Sequence, residues 1–518
     1  MKEGGKVNHS RSKKALYNTL SELALQLVTA ICGFILPRLV LTNFGSTYNG
    51  ITHSITQFIS CVELLKSGIG SVTRAALYKP LAAHDNIGVS EVVNATEKFM
   101  RRVAMIFACG IVIFAVVYPF LIHDEISWLS AFLLVIIIST STFAQYFFGM
   151  TYQMVIQADQ KNYILSIVQI ITAILNTIIS AILISLGFGI HIVKLGSAVV
   201  FIAPPIFYML YVRKKYNIDK KVKENTKLIA QRWDAFGHQI ANFVNSNTDI
   251  IVTTIILGVK EVSVYTIYNL IGYSVRKVIL SITSGVTAAF GNMYAKNERA
   301  SLEIRFRQFE LVMYVASTIL FTACGILFVP FVMIYTRGVL DANYSRPIFA
   351  ILVCVANYFA CMKMPYETMV FAAGQFKQTR NAAFVESILN ITVSVVLANV
   401  IGLNGIMIGT IVAGAYRTFV YNKYVADKLL NYNWWNIFVK LLYSAFCAIV
   451  SYFIVSIFQM NGASGYLEWA VLALEVVLIV SIVSFVTAFV VFKKDVIALI
   501  KVMNNLLKTK MRLRKGNM

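Results

Sequence analysis

Charge is scarce in this chain of 518 residues: 14% are Asp, Glu, Lys or Arg, against 58% hydrophobic, and the mean hydropathy is +0.71. A soluble chain of this size carries roughly a quarter charged residues, so a water-exposed globular fold is excluded. Catalytic and metal-binding patterns are missing too. The seven cysteines (Cys32, Cys61, Cys109, Cys324, Cys354, Cys361, Cys447) fall inside apolar runs without Cys-x-x-Cys spacing, and read as small apolar residues rather than disulfides or ligands. There is no His-Glu-x-x-His and no Gly-x-x-x-x-Gly-Lys-Ser/Thr loop, so neither a zinc hydrolase nor a nucleotide-hydrolysing module is expected, and no cofactor. Alternating strand patterns are absent, which leaves the α-helix as the membrane-spanning unit.

What is there is a succession of apolar runs, each long enough to cross a hydrocarbon core of about 30 Å. Fourteen spans are expected, at 16–41, 49–72, 103–122, 127–150, 163–186, 191–212, 236–257, 263–290, 310–335, 347–372, 382–402, 405–425, 436–459 and 468–492. With a cytoplasmic N-terminus, Lys260, Arg337 and Arg346 are the basic residues of the outer loops, and most of the others lie inside. That asymmetry follows the positive-inside rule and puts both termini in the cytoplasm. The first apolar run is too long for a signal peptide and has no small-residue cleavage pattern, so it reads as a retained span. The formal charge of +22 needs no nucleic acid. The basic tracts at 213–227 and 493–518 flank spans, where anionic lipid attracts each cation by about 1 kcal/mol. The longest outer loop, "TRGVLDANYSR" at 336–346, is too short for a catalytic domain, which disfavours a membrane glycosyl polymerase or ligase.

The two halves echo each other. Gly45 aligns with Gly258, Tyr78 with Tyr294, "VIQADQKNY" (155–163) with "VFAAGQFKQ" (370–378), and the Asn ending "ILN" at 176 with that at 390. These anchors share one period of 213–216 residues. A six-helix period is even, so the copies are parallel in the membrane, and such repeats imply two bundles rocking about a site at their interface. The expected organisation is an N-terminal lobe (1–212), a basic cytoplasmic linker (213–235), a C-terminal lobe (236–425), an additional helix pair (426–492) and a basic tail (493–518).

The stretch "ILPRLVLTNFGSTYNGITHSITQFISCVELLKSGIGSVTRAALYKPLAAHDN" (35–86) resembles the N-terminal signature of polysaccharide flippases. The similar features are an arginine late in the first helix, a Tyr-x-Gly loop, a Leu-x-x-x-Gly-Ile-Gly-Ser end to the second, and Leu-Tyr-Lys-Pro-Leu-Ala. Ala158-Asp159-Gln160 and Ala373-Gly374-Gln375, each followed by an "ILN" helix, are similar as well. The family belongs to the multidrug, oligosaccharidyl-lipid and polysaccharide exporter superfamily. The resemblance implies a flippase for an undecaprenyl-diphosphate-linked repeat unit, serving capsule or another envelope polysaccharide in a bacterial plasma membrane, in company with polymerase machinery. A lipid II flippase and a cation-coupled multidrug antiporter are the alternatives within the superfamily.

Charge at membrane depth costs about 2.5–3.5 kcal/mol per residue on insertion scales and normally faces protein or a water-filled cavity. The candidate substrate-binding residues are Arg38, Glu63, Lys66, Asp249, Arg276, Lys277, Lys363, Glu367 and Glu386. Adding the period to Arg38 and Glu63 lands near Asp249 and on Arg276, and in this superfamily helices 1, 2, 7 and 8 line the cavity. The cations would hold diphosphate or acidic sugar, Arg through a bidentate fork and Lys as a point charge. Glu63 and Asp249 would hold those cations in the empty state or take a coupling proton or sodium ion. Against this, Glu63–Lys66 and Lys363–Glu367 have the spacing of helix pairs that merely neutralise each other. Lys194, Lys440 and Arg417 are expected to snorkel to the interface. Pro365, in the middle of its span, is expected to kink it.

Overall fold

The computed structural model describes residues 3–62, 64–122, 125–223, 225, 247–283, 286–458 and 463–501. The fold is an all-α, many-span membrane fold. The helices run α1 (Glu3–Val62), α2 (Leu64–Ala82), α3 (Asn86–Leu121), α4 (Trp128–Ala144), α5 (Met150–Ala158), α6 (Asn162–Ser185) and α7 (Ile190–Lys215). After α7 come α8 (Asn247–Leu257), α9 (Val259–Thr283), α10 (Val286–Ala295), α11 (Arg299–Tyr335), α12 (Pro347–Met362), α13 (Met364–Ala372), α14 (Phe376–Ile401), α15 (Leu403–Tyr424), α16 (Asn436–Ile457) and α17 (Tyr466–Val491). Eleven of the described helical runs are long and apolar enough to cross a membrane.

The expected spans at 49–72, 236–257 and 263–290 are not counted separately, for local reasons. Span 49–72 continues from α1 past a kink at Gly45. Span 236–257 is described only from Asn247, and span 263–290 carries Arg276 and Lys277. The span at 347–372 divides at Lys363, two residues before Pro365, which has no N–H to return to Cys361. Lys363 keeps φ −66° and ψ −32°, so the division interrupts the hydrogen bonds without leaving helical geometry.

Left-handed residues reveal the repeat more sharply than the amino acids do. Gly45 (φ 80°) pairs with Gly258 (88°), His84 (53°) with Asn297 (58°), Gln160 (57°) with Gly374 (69°), Gly187 (79°) with Gly402 (61°), and Asn217 (46°) with Asn431 (55°). Each pair is separated by 213–215 residues. Non-Gly residues tolerate φ > 0 only at a cost of about 1 kcal/mol or more, so five matched positions mark turns of one design used twice. The remaining one among the described residues, Gly338, has no counterpart.

The chain divides into two compact units. Unit 1 comprises Met1–Thr266 with Gly338–Ala342, and unit 2 comprises Ile267–Arg337 with Asn343–Met518. In unit 1, α8 and the start of α9 are bound to the second half of α1 by paired polar side chains: Asn49 donates to Ser263 at 2.8 Å and Thr254 to Ser54 at 3.0 Å. The unit's main core runs through Val103, Phe107, Ile111 and Tyr118 of α3 against Leu134 and Val135 of α4. In unit 2, α14 and α15 form the most extensive helix pair, and α16 and α17 pack on α11 through Ala323, Leu327, Val455, Val476 and Val480.

Candidate functional site

Unit 2 contains a buried charge network. Arg417 of α15 is 5% exposed and Glu386 of α14 is 3% exposed, and the two form an ion pair. The guanidinium also reaches Glu367 of α13 at 3.1 Å and lies 4.9 Å from the Tyr421 ring, whose hydroxyl it contacts at 3.1 Å. Lys363 donates to the other Glu386 oxygen at 3.1 Å. Two cations and two carboxylates thus balance within a largely buried site, the condition under which buried charge is tolerated. Mutual neutralisation of Lys363 and Glu367, the alternative their spacing left open, does not occur: each takes a partner from another helix. The snorkelling expected of Arg417 is also corrected, because the buried Glu386 and the partly buried Glu367 hold it inside.

A second cluster lies on α11, α13 and α16. The Tyr366 hydroxyl donates to Glu310 at 2.6 Å and meets the Tyr314 hydroxyl at 3.2 Å. Lys440, read from sequence as snorkelling, instead pairs with Glu310 at 2.5 Å, its ammonium 5.3 Å from the Tyr314 ring. Nearby, burial first and the Glu310 carboxylate second push the Tyr432 phenol well above its ordinary range, so it stays neutral.

The same acid and phenol recur in unit 1. Tyr152 donates to the buried Glu97 at 3.0 Å. Glu97 and Glu310 are 213 residues apart, and Tyr152 and Tyr366 are 214 apart. The cations differ. Glu97 is met by Arg101 at 2.6 Å, one turn along α3, and by Arg213 at 3.4 Å from the end of α7. The repeat positions of those arginines hold Tyr314 and Asp427 in the second half, so its cation comes from α16, which the repeat lacks. Sequence reasoning missed both Glu–Tyr pairs, although the period of 213–216 would have aligned them.

The other candidate residues are distributed between the units. In unit 1, Arg38 is half-buried on α1, and Asp249 accepts the Tyr265 hydroxyl at 3.0 Å. Along α1, Ser60 donates to Asn247 at 3.1 Å, and Gln57 bonds to the same amide oxygen. Glu63 lies outside the described residues, as does the side chain of Lys66. In unit 2, Arg276 and Lys277 flank Tyr273, 4.9 and 5.0 Å from its ring centre. The Arg276 Nε is buried and has no hydrogen-bond partner among the described residues. Of the nine candidates, Lys363, Glu367 and Glu386 are brought into one network, and Arg276 and Lys277 share one aromatic platform.

Unit 2 also holds a cavity of about 530 Å³ between α11, α12 and α16. Its walls are apolar, with Phe321, Val355 and Ala448 among them, and Ile351 and Phe453 at its edge are more than half exposed. One end is polar: the Tyr358 hydroxyl donates to Ser444 at 2.7 Å, and Ser444 and Thr318 share a bond of 2.7 Å. Ser444 lies one turn from Lys440 on α16.

No protein-family profile and no curated protein matches the chain. Solved structures do share its fold. The lipid II flippase MurJ in an inward closed conformation is similar with a TM-score of 0.69 at 14% identity, over 93% of this chain and 100% of that one. An inward-facing multidrug resistance MATE family transporter of the MOP superfamily gives 0.64 at 14% identity, over 79% and 98%. The eukaryotic MATE transporter AtDTX14 gives 0.54 at 13% identity, over 82% and 96%.

Proposed function

We propose that the chain is a flippase that carries a polyprenyl-diphosphate-linked oligosaccharide, of the undecaprenyl type, from the inner to the outer leaflet of a bacterial plasma membrane by alternating access. The observation that carries the reading is the unit 2 cavity. A largely apolar slot of about 530 Å³, with Tyr358, Ser444 and Thr318 at one end, suits one segment of an isoprenoid chain whose polar end meets hydroxyls. The Arg276–Tyr273–Lys277 group supports the same substrate, since an aromatic face flanked by cations matches a sugar joined to a diphosphate. In this reading Arg38, Asp249, Lys66 and Glu63 act on the diphosphate or a coupling H+ or Na+, and the basic tracts rest on anionic lipid. The Lys363, Glu367, Glu386 and Arg417 network is the polar interior of unit 2 on which such binding would act.

A lipid II flippase is the second reading, favoured by a fold likeness to MurJ that extends over 93% of the chain, against 79% for the MATE transporter. One experiment separates the two and tests both. Depletion of the protein is expected to accumulate a polyprenyl-linked capsule-type unit on the cytoplasmic leaflet, with lipid II unchanged. Accumulation of lipid II selects the second reading, and accumulation of neither overturns the flippase assignment.

A further inference from the structure

We infer that Asp341 is a releasable latch, closed in this structure, whose carboxylate clasps the start of the helix beyond the Gly45 kink and must let go during transport. The inference rests on the transporter reading above. Its starting point is the strap Gly338–Ala342, which packs as part of unit 1 although the residues on either side of it, Arg337 and Asn343, belong to unit 2. One residue of the strap bonds directly to α1. Asp341 Oδ2 accepts the Ser46 backbone N–H at 2.7 Å, and Oδ1 accepts the Ser46 hydroxyl at 2.6 Å.

The local geometry is arranged around that carboxylate. Gly45 adopts φ 80° and ψ 178°, so α1 stops and restarts, and Ser46 presents one of the first N–H groups of the new helical run. A carboxylate there satisfies an orphan donor and meets the positive end of the helix dipole. A Cβ on residue 45 would stand 2.7 Å from Asp341 Oδ2, so glycine both permits the backbone turn and leaves room for the acid.

The repeat supplies the comparison. Gly258 makes the same turn, yet nothing lies within 4 Å of where its Cβ would be. There the acid comes from the loop between α3 and α4: Glu125 pairs with Lys260 at 3.6 Å and lies 3.5 Å from the Thr47 hydroxyl. Glu125 and Asp341 are 216 residues apart, so one loop acid in each half is applied to a helix restart, and both reach residues 46–47 or their neighbours. By the charge rule these loops lie on the outer face.

The clasp has the properties of a latch rather than of a core. Ser46 is fully buried, but Asp341 is exposed, so water can replace its bonds. The strap has no apolar anchor at its tip: Leu340 is 96% exposed, and Gly338 at φ 90° gives the segment a hinge.

Two measurements test this. In the full chain in lipid nanodiscs, Asp341→Ala is expected to raise amide exchange at residues 45–49 by about ten-fold, with α3 and α4 unchanged. Glu125→Gln is expected to have a smaller effect, because its pair is half exposed. Unchanged exchange in Asp341→Ala overturns the latch, and this readout needs no substrate. Second, Ser46→Cys with Asp341→Cys, oxidised in the membrane after insertion, is expected to stop export of the lipid-linked unit, and reductant to restore it. Chains carrying only one of the two substitutions, treated identically, are expected to remain active. Export at the uncross-linked rate by fully cross-linked protein overturns the need for release. If the substrate reading fails, the exchange experiment still decides whether the clasp exists.

Discussion

Arg417 binds two carboxylates that no other described cation could neutralise together, since Lys363 reaches only Glu386. Removing it leaves Glu367 without a described cation and Glu386 with Lys363 alone, and Arg417→Gln is expected to destabilise by about 3–5 kcal/mol. Arg417→Lys recovers only part of that, because a single ammonium cannot reproduce a planar fork spanning two acids. Thermal unfolding of the purified variants in detergent checks the order wild type, Lys, Gln. The two phenol–carboxylate pairs allow a matched comparison. Tyr366→Phe removes the short bond to Glu310, whose described partners are otherwise Lys440 alone, whereas Tyr152→Phe leaves Glu97 with Arg101 and Arg213. A lost bond to a buried charged group costs about 1.5–3 kcal/mol, and the loss at Tyr366 is expected to exceed that at Tyr152. Equal melting shifts would mean that the two sites are energetically alike despite their different cations.

At the scale of the element, close packing rather than propensity fixes the unit 2 hairpin. A Cβ on Gly405 would overlap the backbone of Leu397, and one on Gly409 would overlap Ser394, so α15 approaches α14 backbone to backbone. Gly409→Leu is therefore expected to cost at least about 1–3 kcal/mol through overpacking, read as lost monodisperse protein on size-exclusion chromatography. Gly110→Leu, on a helix face with nothing within 4 Å of the added Cβ, is expected to be silent. The helices themselves were legible in the sequence, because hydropathy and length constrain membrane spans strongly. Their interruptions were less so. The Gly45 kink leaves the hydrogen-bond pattern almost continuous, so two expected spans merge into α1, and Pro365 divides α12 from α13 without bending the backbone out of helical geometry. The site was only partly legible. Lys363, Glu367 and Glu386 stood out as charges inside apolar runs, but their partners depend on helix rotation, which periodicity does not give. Glu97 lay hidden because it sits in a basic stretch that reads as a solvated loop.

At the scale of the whole molecule, the matched left-handed turns run from α1 to just past the end of α15, and α16 and α17 follow the last of them, yet the second half depends on these two helices. Where the first half has Arg213 for its buried glutamate, the second has Asp427 in register and takes its cation from Lys440 on α16. The appended helix thus completes a site that the repeat alone would leave with an uncompensated carboxylate, and the same helix closes one side of the apolar cavity. If that is why α16 is held in place, the cost of losing Lys440 should come mostly from Glu310 left unpaired, not from lost packing. Lys440→Met alone is expected to destabilise by about 3–5 kcal/mol, and Glu310→Gln alone by a comparable amount, because each strands a buried charge. The double variant strands none, and the methionine fills most of the lysine's volume, so it should be more stable than either single variant, its loss falling well short of the sum of the two single losses. Melting of the four proteins closes the cycle. Additive losses would show that Lys440 and Glu310 act independently, and would leave α16 held only by its apolar contacts with α11 and α17.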